Sequence, residues 1–172
     1  LESERLLVVR RRFGASARQV MGGKIGAPNL NSHTNDDIPH RGWDNELALL
    51  SDLRGQHRLE SLYRPPEDTI LRDVDLDFDA RRMLFSMPAE NNRWQVFEIA
   101  ADGSGLKPLT GEQPDVDSYD ACYLPDGRIM FTSTACFIGV PCVYGSSHVT
   151  NMYVMNADGS GIRQLTFDQE HN

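Results

Sequence analysis

The chain has 172 residues, the length of one ordinary domain and enough to bury a hydrophobic core. Hydrophobic residues make up 40% and charged residues 24%, which argues against a disordered chain, and no apolar run approaches the roughly 20 residues of a membrane span. Carboxylates outnumber Lys and Arg 25 to 17, and the net charge of −8 disfavours nucleic acid and anionic membranes as partners.

A first repeat is predicted within residues 1–64. It has an early strand at residues 6–9, a later strand at 45–50 that ends in a turn at Asp52, and a last strand at 58–63. Residues 14–42 lack periodicity and are rich in Gly, Asn and Pro. They are therefore predicted to loop out of this repeat as a long insertion.

Two closer repeats follow. Residues 96–110 recur as residues 152–166, and the upstream residues 78–86 recur as 125–133 with a one-residue gap. Alternating apolar side chains in both pairs predict strands. The Asp-Gly pairs that begin at Asp102 and Asp158 predict tight hairpin turns, in which glycine adopts a positive φ.

The predicted fold class is all-β, with about three four-stranded antiparallel blades of an incomplete β-propeller. A blade needs neighbours to bury its faces, and a propeller closes with about four to eight blades, so the rest of the propeller is expected outside this chain. The predicted boundaries are blade 1 at residues 1–64 with insertion 14–42, blade 2 at 65–112, and blade 3 at 113–172 with insertion 134–150.

The repeated Asp-Gly-Ser-Gly turn, together with the upstream stretch 124–128, resembles the TolB-type or PD40 propeller repeat over about residues 70–172. Residues 41–46, 119–129 and 132–142, with 167–172, resemble the hydrazine synthase alpha subunit-like proteins of bacteria. This resemblance implies a secreted or periplasmic protein of several domains in which the propeller is one part. The chain contains no Cys-x-x-Cys-His motif, so the resemblance carries no haem chemistry into it.

Three functions are compatible with this sequence. The first, which we favour, is a binding or scaffold module for a protein or glycan ligand. The second is part of an extracellular polysaccharide-active enzyme, and the third is a hydrazine synthase alpha-like redox subunit whose haem domains lie elsewhere. The sequence identifies no catalytic residues, because His148 has no recognisable partner nucleophile, and propellers host all three functions.

Two aspartates occupy equivalent positions in the second and third repeats. Alignment of the repeats places Asp73 opposite Asp120, on first strands, which line the central channel of a propeller. Converging carboxylates there predict a site for a hard cation such as calcium. The alternative is that both aspartates cap turns through local hydrogen bonds.

Two cysteines enclose a short loop in blade 3. Cys136 and Cys142 are predicted to form an exposed disulfide in an oxidising compartment, with two free thiols as the alternative. Their spacing does not fit a zinc site.

Both insertions carry unusual histidines and aromatic residues, and each is placed before the third strand of its blade. Insertions of repeat proteins gather on one face, which is commonly the binding face, so both are expected to border one ligand surface. The alternative is that they are merely solvated loops. The residues predicted for this surface are His33, His40, Trp43, Phe137, Tyr144 and His148.

Overall fold

The computed structural model describes residues 5–13, 39–111, 113–139 and 148–168. These residues form two compact units, unit 1 with residues 5–13 and 39–71 and unit 2 with the described residues from 72 onward. The described part of the chain contains β-strands and one short 3-10 turn at Pro66–Asp68, but no α-helix. The all-β prediction is therefore confirmed, and no helix among these residues could cross a membrane.

Unit 1 is an antiparallel sheet of three strands in the order β1-β2-β3. The strands are β1 Arg5–Phe13, β2 Trp43–Ser51 and β3 Arg58–Tyr63. The prediction was a blade of four strands. Since β1 pairs directly with β2 along its whole length, these strands correspond to the second, third and fourth strands of a blade. The described residues of unit 1 include no counterpart of the first.

Unit 2 contains two antiparallel sheets of four strands, which confirms the prediction for residues 70–172. Blade 2 consists of β4 Arg72–Leu76, β5 Arg82–Pro88, β6 Trp94–Ala100 and β7 Lys107–Pro108, paired in that order. Blade 3 consists of β8 Ser118–Tyr123, β9 Ile129–Ser133, β10 Asn151–Met155 and β11 Arg163–Gln164, also in order. The exact blade boundaries remain predictions.

The two predicted Asp-Gly turns have the same geometry. Gly103 at φ 84° donates its amide to Ala100 O at 2.9 Å, and Gly159 at φ 87° donates to Asn156 O at 2.9 Å. In each turn the aspartate carboxylate accepts two hydrogen bonds from the following serine, at 2.9 and 2.6 Å. These bonds lower the pKa of Asp102, as they do for Asp158. The two sequence repeats thus form the same turn with the same side-chain hydrogen bonds.

The core of unit 2 lies between its two blades. Strand β8 packs across β4, β5 and β6, so the first strand of blade 3 covers one face of blade 2. The buried residues of this core are Leu84, Val96, Leu109, Ala121, Tyr123, Ile129, Phe131, Tyr153 and Met155.

A buried glutamate forms a hydrogen bond between the two blades at this interface. Glu98 of β6 accepts hydrogen bonds from the Tyr123 hydroxyl at 3.0 Å and from Arg82 at 3.1 Å, and it pairs with Lys107 at 2.9 Å. Arg82 also lies over the Tyr123 ring, 5.4 Å from its centroid. Burial, with the Glu98 charge next, raises the pKa of Tyr123, so its hydroxyl stays a donor at neutral pH.

Candidate functional site

The first strands of both blades contain a bulge at the same position. Asp73 in β4 has φ 55° and Asp120 in β8 has φ 53°, and the pairing register shifts around each of them. A left-handed residue inside a strand re-aims its side chain, and aspartate tolerates that conformation better than most residues. The equivalence of the two aspartates predicted from the sequence therefore has a structural basis.

The two bulge aspartates interact electrostatically. Burial and the neighbouring Asp73 charge raise the pKa of Asp120, while Arg72 opposes that shift. Arg72 donates to Asp73 Oδ1 at 2.9 Å, and its guanidinium lies 5.5 Å from the centroid of the Trp94 ring. The second oxygen, Asp73 Oδ2, is buried without a hydrogen-bond partner among the described residues.

This pair falls short of a complete calcium site. Calcium takes about six to eight oxygen ligands, and two carboxylates supply at most about four. Within the described ranges no group of three or more His, Cys, Asp or Glu side chains is placed to hold a metal ion. Calcium at Asp73 and Asp120 therefore remains a proposal, and it needs ligands beyond these two residues.

Hydrogen bonds from β8 to blade 2 fix the position of these first strands. The amide of Asp120 donates to Ser86 Oγ at 3.0 Å, and the amide of Tyr123 donates to Asp75 Oδ2 at 2.8 Å. Both bonds give backbone N–H groups of β8 acceptors on side chains of blade 2. Because these acceptors lie at fixed positions, they hold the bulged strand in a single position against blade 2. Sequence reasoning missed the roles of Ser86 and Asp75.

A ribbon projects from one end of blade 3. We use this name for residues 134–139 and 148–150, which lie between β9 and β10. Its sides are joined by the bond from Val149 N to Ile138 O, at 2.7 Å, and by a β-bridge between Gly139 and His148. Its base is held where Thr134 N donates to Asp117 O at 3.0 Å. The base of the insertion predicted at residues 134–150 is thus ordered by backbone hydrogen bonds.

Phe137 stands out in this ribbon. Its amide donates to Thr134 O at 3.0 Å in a tight turn, where the residue has φ 53°. Its side chain is 63% exposed. A left-handed conformation costs a bulky residue about 1–3 kcal/mol, and such strain is concentrated at functional sites. An exposed aromatic side chain kept in a strained turn favours a role in binding over one in folding.

A second exposed phenylalanine lies at the same end of blade 3. Asn151 links the two, because its amide nitrogen donates to Cys136 Sγ at 3.4 Å and to Asp168 O at 3.2 Å. Cys136 precedes Phe137, and Asp168 follows Phe167, whose side chain is 75% exposed. Sequence reasoning did not select Phe167.

Asp117 ties the ribbon to blade 2. Its carboxylate accepts the Trp94 amide at 2.9 Å and pairs with Arg93 at 3.4 Å, while its backbone holds Thr134. Arg93 also pairs with Asp115, whose side chain is 71% exposed, at 3.2 Å. The β5–β6 turn of blade 2 and the ribbon of blade 3 therefore share one end of unit 2, opposite the Asp-Gly turns.

The six residues predicted for the ligand surface have different environments. His33 and Tyr144 lie outside the described residues. In unit 1, His40 is half-buried, and Trp43 is only 4% exposed, with its indole nitrogen donating to Pro39 O at 2.6 Å. In unit 2, Phe137 is exposed and His148 is half-buried. A surface shared by all six remains a prediction.

The predicted disulfide is also not described, because Cys142 lies outside the described residues. Cys136 is half-buried with a free thiol that donates to Val149 O at 3.3 Å. This contact places the thiol at the base of the ribbon.

Comparison with known proteins identifies the fold. TolB from Acinetobacter baumannii superposes with a TM-score of 0.51 at 18% identity, over 74% of this chain and 28% of that one. Kuenenia stuttgartiensis hydrazine synthase gives 0.54 at 13% identity, over 74% and 22%. The chain has a TolB-like β-propeller fold. An oligogalacturonate lyase in complex with manganese gives 0.58 at 12% identity, over 95% of this chain and 38% of that one.

These likenesses show the fold alone, because all three identities are low. The chain spans 28% of the TolB structure, 22% of the hydrazine synthase chain and 38% of the lyase chain. No protein-family model matches the chain, and no curated protein matches it. The resemblance to TolB-type repeats and to hydrazine synthase is thus supported at the level of the propeller fold.

Proposed function

We propose that the chain is a binding or scaffold module, formed by propeller blades, of a larger secreted or periplasmic bacterial protein. The observation that carries this proposal is Phe137, an exposed aromatic side chain in a strained turn of a hydrogen-bonded ribbon. Aromatic residues on exposed loops that a rigid scaffold positions are common in binding surfaces. The ligand would be a protein or a glycan.

The solvent-exposed face of blade 3 supports the proposal that this chain belongs to a larger propeller. In blade 2 the face beneath β8 is formed by Leu84, Val96 and Leu109, which are all buried. The equivalent residues of blade 3 are Met130, Met152 and Leu165. Leu165 donates its amide to Met152 O at 2.8 Å, as Leu109 does to Val96 O.

These three residues of blade 3 are half-buried or exposed, with Leu165 at 40%. An apolar face that is covered in one blade and uncovered in the next is typical of a sheet that packs against a further blade. This supports a module that works within a larger propeller.

Selection from two libraries tests the binding role. The chain would be screened against an array of bacterial and plant glycans and against a phage library of random peptides. We expect ligands to be selected from one of them, and Phe137→Ala to weaken their binding about threefold or more.

The matched control is Phe78→Ala. Phe78 is 75% exposed in the β4–β5 turn, at the end of unit 2 opposite the ribbon. Equal losses in both variants, or no ligand selected from either library above an unrelated propeller, would contradict the proposal. Thermal unfolding of both variants checks that neither substitution disturbs the fold.

A further inference from the structure

The ribbon end of unit 2 combines exposed aromatic side chains with carboxylates. Phe137 and Phe167 are 63% and 75% exposed and lie on either side of the Cys136, Asn151 and Asp168 contacts. We call this region the aromatic end and define it by described residues 88–93, 113–117, 134–139, 148–151 and 166–168.

The charge of the aromatic end is mostly negative. Its acidic residues are Glu90, Asp115, Asp117 and Asp168, and of these only Asp117 is buried. Arg93 is the one Lys or Arg in the defined ranges, and it is already paired with Asp115 and Asp117. Glu90 and Asp168 are exposed, so carboxylates face solvent on the blade 2 side and on the blade 3 side of the aromatic end.

This chemistry fits a cation better than a sugar. The face of a phenyl ring carries partial negative charge and attracts ammonium and guanidinium groups, and nearby carboxylates add to that attraction. A neutral sugar carries no positive charge for the ring faces and the carboxylates to attract. The net charge of −8 of the whole chain would steer a positively charged partner toward it.

We propose that the aromatic end docks a basic peptide segment of a partner protein, with the charged groups of Lys or Arg side chains over the rings of Phe137 and Phe167 and near Asp168 and Glu90. This inference rests on the proposed binding function and names the class of partner. Each exposed cation–aromatic contact is weak, so affinity comes from several contacts made together.

Fluorescence anisotropy with three labelled twelve-residue peptides tests the inference. The basic peptide combines Lys and Arg with Leu, and its two counterparts carry Gln or Glu in place of the basic residues. We expect only the basic peptide to bind, with affinity falling as NaCl rises from 50 to 300 mM. Phe137→Ala and Phe167→Ala should each weaken binding about three- to fivefold, and Asp168→Asn should weaken it and flatten the salt dependence.

Two matched controls identify the site. Phe78→Ala removes an exposed phenylalanine, and Asp126→Asn removes a carboxylate whose side chain is 52% exposed, both at the opposite end of unit 2. Neither should change peptide affinity. Equal binding of the Gln peptide, or equal losses in the control variants, would overturn the inference.

The glycan array distinguishes a failure of this inference from a failure of the proposed binding function. Glycan binding that Phe137→Ala abolishes, together with no binding of the basic peptide, would reject the basic partner and leave the binding function standing. No binding of peptides or of any library ligand would reject both.

Discussion

In blade 2 the connection between the second and third strands takes five residues, from Ala89 to Arg93, whereas in blade 3 the same connection takes seventeen, from Thr134 to Thr150. At the opposite end the two blades carry the same Asp-Gly-Ser turn, with the same hydrogen bonds at nearly the same lengths. One end of each blade is thus set by local turn chemistry, and the other end is where the blades diverge. Exposed aromatic residues and strained backbone occur at the divergent end of blade 3.

The contrast separates the end of each blade that the repeat conserves from the end at which an insertion is accommodated. The shared turns direct strands into a register that buries the core between the blades, so they change little. An insertion at the divergent end leaves the pairing of β9 with β10 intact. Substitutions in the shared turns and at the contacts between the blades should therefore change the free energy of unfolding.

The largest effect is expected at Gly159. A Cβ added there would lie 2.4 Å from Leu109 O, and the φ of 87° is unfavourable for alanine. Gly159→Ala should therefore lower the free energy of unfolding by about 3 kcal/mol, as measured by urea denaturation. Gly127→Ala is the matched control, because φ is 86° there but nothing lies within 4 Å of the added atom. Its cost should be about 1 kcal/mol, and equal costs would show that the contact with Leu109 is unimportant.

Loss of the Tyr123 hydroxyl should have the next largest effect. Tyr123→Phe leaves the buried Glu98 short of one donor, so the free energy of unfolding should fall by about 2 kcal/mol. Tyr153→Phe removes a hydroxyl from the same core, and that hydroxyl bonds to none of the described residues. A loss in the Tyr153 variant as large as in the Tyr123 variant would refute a special role for the Glu98 contact.

Ala80→Gly should stabilise the chain. Ala80 has φ 53° in the β4–β5 turn and donates to Asp77 O, as Gly127 at φ 86° donates to Leu124 O in the equivalent turn. Relief of the left-handed alanine should raise the free energy of unfolding by about 0.5–1 kcal/mol. The midpoint of urea unfolding measures this, and a lower midpoint would mean that the two turns are not equivalent.

The smallest effect is expected from Asp120→Asn, and it depends on pH. Because burial and Asp73 raise the pKa of Asp120, the folded chain holds this proton more tightly than the unfolded chain. Stability is therefore lost as pH rises through the carboxyl range. The variant should have a higher Tm than the parent chain at pH 7, and this difference should vanish near pH 3. A difference that persists at pH 3 would rule out the charge as its cause.

Calcium offers a further test at this position. If the proposed cation site forms, millimolar calcium should raise the Tm of the parent chain and leave that of Asp120→Asn unchanged. Equal responses of the two chains to calcium would remove Asp120 from the site.

Much of the fold could be predicted from the sequence because it rests on local rules. Strands are specified by alternating apolar residues, and turns by the Asp-Gly pairs at Asp102 and Asp158. Both signals depend on interactions between residues that are close in the sequence. Their repetition at a fixed interval then predicts two similar sheets, and the structure confirms them. The alignment of Asp73 with Asp120 succeeded for the same reason, since equal spacing from an equivalent turn fixes an equivalent position.

The tertiary structure alone decided which side chains meet. Glu98 and Tyr123 are 25 residues apart, and Asp75 and Tyr123 are 48 apart, so no local pattern could pair them. Exposure was equally beyond the sequence, because Trp43 and Phe137 are both aromatic, yet one is buried and the other faces solvent. Burial depends on the strands that pack over a residue, and those strands come from distant parts of the chain. The sequence by itself therefore determined the blades and their turns, whereas the packing of one blade on the next decided which side chains are buried and which face solvent.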